Sequence, residues 1–154
     1  MTYAPVGSVE AVGPARHVSE ADTAVWCPVR VLLAEDDDEL RWALADLLRR
    51  GGYDVDAVAN GAKLVDELAA CLLPGGRPPD VIVTDIRMPA FNGLRVLEGF
   101  RAAGWSTPFI LITAFGDDAL RARAERAGAT ALLEKPFLPE ELEAIVRHAV
   151  SPTT

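Results

Sequence analysis

Cysteine, lysine and long apolar runs are all scarce in this chain of 154 residues. The two cysteines, Cys27 and Cys71, are far apart and match no metal-binding spacing, so we expect reduced thiols and no disulfide. No apolar run approaches the length of a membrane span, and no basic start precedes an apolar stretch. The net charge of −8 argues against non-specific attraction to nucleic acid. These absences predict a cytoplasmic protein that contacts neither membrane nor nucleic acid.

The remaining composition is that of one ordinary globular domain, with 50% hydrophobic and 25% charged residues. Residues 1–28 hold scattered proline, glycine and charge without an apolar period, which predicts an irregular or disordered extension. A partner-docking arm is the alternative for this stretch. We expect the domain to cover residues 29–150, followed by a tail at 151–154.

Within the domain, apolar patterns of strand and helix type alternate five times. The helix signals include Leu40, Leu44 and Leu48 before Gly51, and Leu64, Leu68 and Leu72 before Pro74. The predicted strands are Val29–Ala34, Tyr53–Val58, Asp80–Thr84, Phe109–Thr113 and Thr130–Glu134, and the last three helices are Gly93–Ala103, Asp117–Ala127 and Glu140–Val150.

The strand sequences indicate how the sheet is covered. Val31–Leu33, Val81–Val83 and Ile110–Ile112 are unbroken apolar runs, which is typical of strands buried on both faces. Alternating strands and helices predict right-handed crossovers and a doubly wound α/β fold, with a five-stranded parallel sheet and five helices. Such sheets bind ligands beyond the carboxyl ends of their strands.

Polar residues follow the predicted strands at this edge, and each has a purely structural explanation. The acidic run Glu35–Glu39 suits the start of a helix, where negative charge is favoured. Asp85 could cap a turn, Thr113 could bond a neighbouring backbone group, and Lys135 could be solvated. Taken singly, none of these residues indicates a function more strongly than the structural explanation.

Taken together, the same residues indicate phosphoryl chemistry. Carboxylates gathered at one edge repel each other unless a cation binds or one of them stays protonated. Mg²⁺ binds one or two carboxylates together with water and phosphate oxygens, and an aspartate can act as a nucleophile that forms an aspartyl phosphate. Phosphoryl transfer then needs positioning and neutralisation of the phosphoryl oxygens, which a metal, a lysine and a hydroxyl would supply.

Four motifs in the expected order resemble the receiver (CheY-like) domain of bacterial two-component response regulators, over roughly residues 29–150. They are Val31–Asp37 (VLLAEDD), Val81–Pro89 (VIVTDIRMP) continuing to Gly93, Ile112–Ala114 (ITA) and Glu134–Phe137 (EKPF). The resemblance implies a flavodoxin-like sheet with strand order 2-1-3-4-5.

The resemblance also implies a role for each residue at the edge. Asp85 would accept a phosphoryl group, and Asp36, Asp85 and the backbone carbonyl of Arg87 would bind Mg²⁺. Glu35 would take part in the metal site mainly through water. Lys135 would pair with a phosphoryl oxygen and Thr113 would move to bond the phosphoryl group. The Lys135–Pro136 bond would be cis, which would aim the lysine inward.

Several residues around the site qualify this picture. Pro89 and Gly93 are expected to shape the loop after Asp85, and the small Ala114 would leave room for the phosphoryl group. Arg87 and Phe115 occupy positions that tune the lifetime of the phosphoryl group in the family. Arg87 could hold a phosphoryl oxygen, pair with Glu35 or be exposed. Leu132 stands where many receivers carry an aromatic side chain, which puts the usual threonine–aromatic coupling in doubt.

Because the sequence ends soon after the fifth helix, the leading hypothesis is a stand-alone receiver, a signalling phosphoprotein of a phosphorelay. It would catalyse only its own phosphorylation and dephosphorylation. A sensor histidine kinase or a histidine phosphotransfer protein would phosphorylate it. An unknown downstream protein would contact the face of helix 4, strand 5 and helix 5, near Arg121, Arg123 and Arg126.

The alternative is a receiver-fold interaction module that works without phosphorylation. A phosphatase of the haloacid dehalogenase type would need a second aspartate where Arg87 stands. A flavin-binding relative would need a phosphate-cradling loop in place of the acidic one after the first strand.

Overall fold

A five-stranded parallel sheet organises the protein in the computed structural model, which describes residues 15–20 and 23–151. Its strands are β3 (Arg30–Ala34), β4 (Asp54–Val58), β5 (Val81–Asp85), β8 (Phe109–Thr113) and β9 (Ala131–Glu134). Their order in the sheet is β4-β3-β5-β8-β9, and all four neighbouring pairs are parallel. The predicted doubly wound fold and strand order are confirmed.

Five helices cover the two faces of the sheet, namely α1 (Asp38–Arg50), α2 (Gly61–Ala70), α3 (Gly93–Ala102), α4 (Asp118–Ala127) and α5 (Pro139–Val150). Apolar side chains of α1 and α5 pack on one face, and those of α2, α3 and α4 pack on the other. Every residue of β5 and β8 is buried, which explains their unbroken apolar sequences.

Polar side chains begin four of the helices at the carboxyl edge of the sheet. Asp37, Asn60, Asn92 and Asp117 each accept a hydrogen bond from a backbone N–H in the first turn of the following helix. Each helix therefore starts just beyond the strand that precedes it along the chain, so that the loops carrying the polar residues are short.

Two hairpins lie outside the predicted elements. β6 (Arg87–Met88) and β7 (Phe91–Asn92), which have two residues each, pair as a short hairpin after β5. β1 (Ala15–Glu20) and β2 (Thr23–Pro28) pair as an antiparallel hairpin, where the sequence predicted an irregular extension. Backbone pairing between two short strands needs no apolar alternation, so the search for a period missed it. Residues 1–14 and 152–154, which complete the predicted extension and tail, lie outside the described residues.

The predicted second helix is also longer than the real one. Leu72 was expected on its buried face, but the helix ends at Ala70 and the Leu72 side chain is 60% exposed. Over residues 15–20 and 23–151, no helix is both long enough and apolar enough to cross a membrane.

Candidate phosphoacceptor site

Four strand ends bring the predicted site residues together at the carboxyl edge of the sheet. Asp85 ends β5, the central strand, while Glu35 follows β3 on one side and Thr113 ends β8 on the other. Lys135 follows β9, and its backbone N–H bonds the carbonyl of Thr113 at 2.8 Å. Parallel strands therefore place residues 100 positions apart in sequence in direct contact.

An ammonium–carboxylate contact lies at the centre of the site. Nζ of Lys135 donates a hydrogen bond to Oδ2 of Asp85 at 2.8 Å and also lies 3.2 Å from Oε1 of Glu35. Burial alone lowers the pKa of Lys135, but the hydrogen bond and charge of Asp85, with a smaller effect of Glu35, raise it above its ordinary value. Lys135 is therefore a fixed cation beside Asp85. The Lys135–Pro136 bond is cis, as the resemblance to receiver domains implied.

Glu35 is fully buried, and its surroundings oppose its ionisation. Burial raises its pKa to about 7, although the N–H of Asp37, which donates a hydrogen bond to Oε2 at 3.0 Å, acts to lower it. The charge of Asp85 raises the pKa further, while that of Lys135 lowers it. Oε1 of Glu35 makes no hydrogen bond of good geometry among the described residues, although Lys135 is near. The site therefore has a buried oxygen whose contact with the Lys135 ammonium is an ion pair without hydrogen-bond geometry.

The carboxylates of Glu35, Asp36 and Asp85 fit a divalent cation. One oxygen from each lies within 4.8 Å of the others, with Glu35 and Asp85 buried and Asp36 exposed. An acidic group of this kind, with an incompletely bonded oxygen and one solvent-facing ligand, suits the oxygen-rich and partly hydrated coordination of Mg²⁺. The rest of the acidic run has the structural role: Asp37 caps α1, and Asp38 and Glu39 lie in its first turn.

The Thr113 hydroxyl is engaged locally, not with Asp85. Its Oγ1 accepts a hydrogen bond from the N–H of Phe115 at 3.1 Å and donates to the Phe115 carbonyl at 3.3 Å. Thr113 itself is buried, whereas Ala114 is exposed and the Phe115 ring is 76% exposed. The hydroxyl would have to leave Phe115 to reach a group on Asp85.

The hairpin after Asp85 shapes one wall of the site. The N–H of Arg87 lies 3.4 Å from Oδ1 of Asp85, and the Arg87 side chain is exposed without an ion pair to any described residue. A Cβ on Gly93 would lie 2.5 Å from the carbonyl oxygen of Asp85, so only glycine fits there. The pairing of Arg87 with Glu35 is not observed and the side chain is exposed, while a contact with a phosphoryl oxygen stays a prediction.

The arginines of α4 were expected near one output face, but they point in different directions. Arg121 pairs with Glu134 at the end of β9, whereas Arg123 pairs with Glu98 of α3. Arg126 lines a groove between α3 and α4 with Arg101. Sequence position alone could not separate them, because all three follow each other within two helical turns. Leu132 is half-buried against the core beneath α4.

A doubly wound sheet with an acidic cluster and a lysine at its carboxyl edge is the arrangement expected of a receiver-type signalling domain, and comparison with known proteins agrees. The family model of the response regulator receiver domain matches residues 31–147. The chain belongs to this family, whose members are signalling domains of two-component systems, not enzymes in the ordinary sense.

Individual relatives support the same assignment. The chain is 36% identical over 133 residues to the transcriptional regulatory protein PdtaR of Mycobacterium tuberculosis, covering 86% of this chain and 61% of that protein. It is 35% identical over 127 residues to the response regulator MprA of Mycolicibacterium vanbaalenii, covering 82% and 52%. This chain thus spans between half and two thirds of the length of these relatives.

A solved structure extends the comparison to three dimensions. The non-phosphorylated HemR receiver domain from Leptospira biflexa superposes with a TM-score of 0.72 at 27% identity, covering 83% of this chain and 98% of that one. The match over nearly the whole of that domain shows that the described fold is a receiver fold.

Proposed function

We propose that the protein accepts a phosphoryl group on Asp85 from a phosphohistidine of a sensor histidine kinase or phosphotransfer protein, and signals by contact with other proteins. The observation that carries the proposal is the contact between Lys135 and Asp85 at 2.8 Å inside a cluster of carboxylates. A buried carboxylate beside a fixed cation is placed to act as a nucleophile towards an anionic group.

In the proposed reaction, a carboxylate oxygen of Asp85 forms a bond to phosphorus as the phosphorus–nitrogen bond of the donor breaks. The electron pair stays on the imidazole nitrogen, which takes up a proton. Lys135 lies within reach of an oxygen of the incoming group, and Thr113 can donate its hydroxyl proton to another. Attack of water on phosphorus then releases phosphate and restores the carboxylate.

The metal of this reaction would be Mg²⁺, held by Asp36, Asp85 and the carbonyl of Arg87, with Glu35 contributing mainly through water. It would neutralise phosphoryl oxygens during transfer. The protein's own part is to hold the carboxylate oxygens of Asp36 and Asp85 close to each other, because β3 and β5 are neighbours in the sheet.

Intact mass measurement tests the acceptor directly. With a small acyl phosphate donor and Mg²⁺, the protein should gain the mass of one phosphoryl group, and Asp85→Asn should gain none. Asp80→Asn is a matched control, because Asp80 directly precedes the other end of β5 and asparagine can still accept the bond from the Arg30 N–H. A phosphoryl gain by Asp85→Asn, or none by the unaltered protein, would contradict the proposal.

A further inference from the structure

The loop between β8 and α4, residues 114–117, is held from two sides. On one side, the Thr113 hydroxyl bonds both the N–H and the carbonyl of Phe115. On the other, the backbone at Gly116 lies directly against the side chain of Glu134, where a Cβ would lie 2.7 Å from Cδ of the glutamate. The loop is therefore packed between the site and the end of β9.

Glu134 is itself fixed by an ion pair with Arg121 of α4. The side chains of Arg121 and Glu134 are 49% and 39% exposed, so the pair is at the surface, and it joins the helix that follows the loop to the side chain that lies against Gly116. Arg121 lies in the helix that the loop leads into, and Glu134 directly precedes Lys135 of the site.

A change at Thr113 has to be accommodated by this loop. The carbonyl of Thr113 is bonded to the N–H of Lys135 at 2.8 Å, which holds the backbone of Thr113 to β9. If the hydroxyl turns to donate to a phosphoryl group on Asp85, it gives up the Phe115 carbonyl. Residues 115–117 must then rearrange, and the Glu134 side chain, which lies against Gly116, opposes this movement.

We propose that the Arg121–Glu134 ion pair is a latch that holds residues 114–117, and with them Thr113, in the resting arrangement. This inference rests on the proposed function, because it concerns the same hydroxyl. The latch gives α4 a connection to the site that does not require an aromatic residue at position 132. Since coupling free energies are reciprocal, phosphorylation of Asp85 weakens the ion pair to the same extent that the ion pair disfavours phosphorylation at equilibrium.

Single substitutions of the two partners test the latch. Arg121→Gln and Glu134→Gln should each raise the initial rate of phosphoryl incorporation from the small donor by roughly two- to fivefold, the range that a half-exposed ion pair supports. A purely local charge effect predicts opposite signs instead, because the donor is an anion and the variants remove opposite charges. Exchanging the partners, with Arg121→Glu and Glu134→Arg in one protein, should return the rate towards that of the unaltered protein.

The Arg123–Glu98 pair is a matched control, since it also joins α4 to a neighbouring element and is similarly exposed. Arg123→Gln and Glu98→Gln should leave the rate unchanged. In amide NMR spectra, the signals of Phe115 and Gly116 in the latch variants should shift towards those of the beryllofluoride-activated protein. Opposite rate changes in the two latch variants, or rates equal to the controls, would overturn the latch. Failure of the unaltered protein to gain a phosphoryl group would overturn the proposed function instead.

Discussion

Glu35 and Asp36 are neighbours in sequence but lie in opposite environments. Glu35 is fully buried beside Lys135, whereas Asp36 is exposed to solvent. The buried glutamate is held in a fixed place by Lys135 and the N–H of Asp37, and the exposed aspartate is open to water. The proposed metal site therefore combines one rigid and one accessible carboxylate.

The sequence could predict the membership of this cluster but not the state of its members. The apolar strands and their polar ends place Glu35, Asp36, Asp85, Thr113 and Lys135 at one edge. The run Glu35–Glu39 has five acidic residues in a row, and the sequence does not show where α1 begins. It therefore cannot distinguish the residue that caps the helix from the residues that would bind the metal. The bonding of Thr113 to Phe115 depends on the path of the loop, which no local pattern encodes.

Tyr53 offers a prediction about stability at single-residue scale. Its ring is buried at 3% exposure, and its hydroxyl has no hydrogen-bond partner among the described residues. A buried hydroxyl without a partner contributes little or costs free energy. Tyr53→Phe should therefore unfold in urea at pH 7.5 at the same midpoint or slightly higher. A lower midpoint would mean that the hydroxyl has a partner.

The same residue predicts a dependence on pH. Burial, and to a smaller extent Glu143, raises the pKa of Tyr53 above its ordinary value of 10.0, while Arg147 lowers it. Because the pKa of Tyr53 is higher in the folded protein than in the unfolded chain, the folded state favours the neutral phenol. The resulting stability is complete below pH 10 and is lost as the pH rises through the folded-state pKa. Between pH 9 and 11 the unaltered protein should lose more free energy of unfolding than Tyr53→Phe. Equal losses in parallel urea titrations would contradict this.

At the scale of elements, Arg101 joins the ends of two helices. Its guanidinium donates to the carbonyls of Trp105, just after α3, and Gly128, which ends α4 in a left-handed conformation. Burial lowers the pKa of Arg101, and its partners among the described residues are carbonyls, not carboxylates. A cation at two helix C-termini is favoured by both helix dipoles.

Arg101→Ala should therefore lower the free energy of unfolding by about 1–2 kcal/mol, the value of two charge-assisted bonds reduced by partial exposure. Arg101→Lys should recover only part of this loss, because one ammonium does not reproduce the guanidinium fork. Arg126→Ala is the control, since Arg126 lines the same groove without a bond to any described residue. Denaturant titration measures all three. Equal stability of Arg101→Ala and Arg126→Ala would refute the role of Arg101.

The accuracy of the element predictions follows from the strength of the local signals. The strand Phe109–Thr113 was predicted without error because Phe109–Ile112 is an unbroken apolar run that ends at the polar Thr113. The helix α2 was predicted too long because Leu72 continues the helical spacing after the helix has ended. β1 and β2 were missed because their pairing is a property of two segments together. A two-residue strand such as β6 is too short to carry any period.

At the scale of the whole molecule, the carboxylate cluster predicts that Mg²⁺ stabilises the fold. A ligand bound only by the folded state at one hundred times its Kd adds about 2.7 kcal/mol. Thermal unfolding should therefore shift upwards with Mg²⁺ in the unaltered protein and much less in Asp36→Asn. Asp46→Asn, an exposed α1 position paired with Arg50, should keep the full shift. A full shift in Asp36→Asn at constant ionic strength would exclude this carboxylate as a ligand.

The order β4-β3-β5-β8-β9 has a consequence for how the protein is made. The carboxylates come from the first part of the domain and Lys135 from its last strand, so no segment shorter than residues 35–135 contains the complete site. During synthesis, a chain released from the ribosome only as far as β8 has Asp85 but no cation beside it. The proposed uptake of a phosphoryl group therefore requires β9 in the sheet, and we expect incomplete chains not to react with the donor.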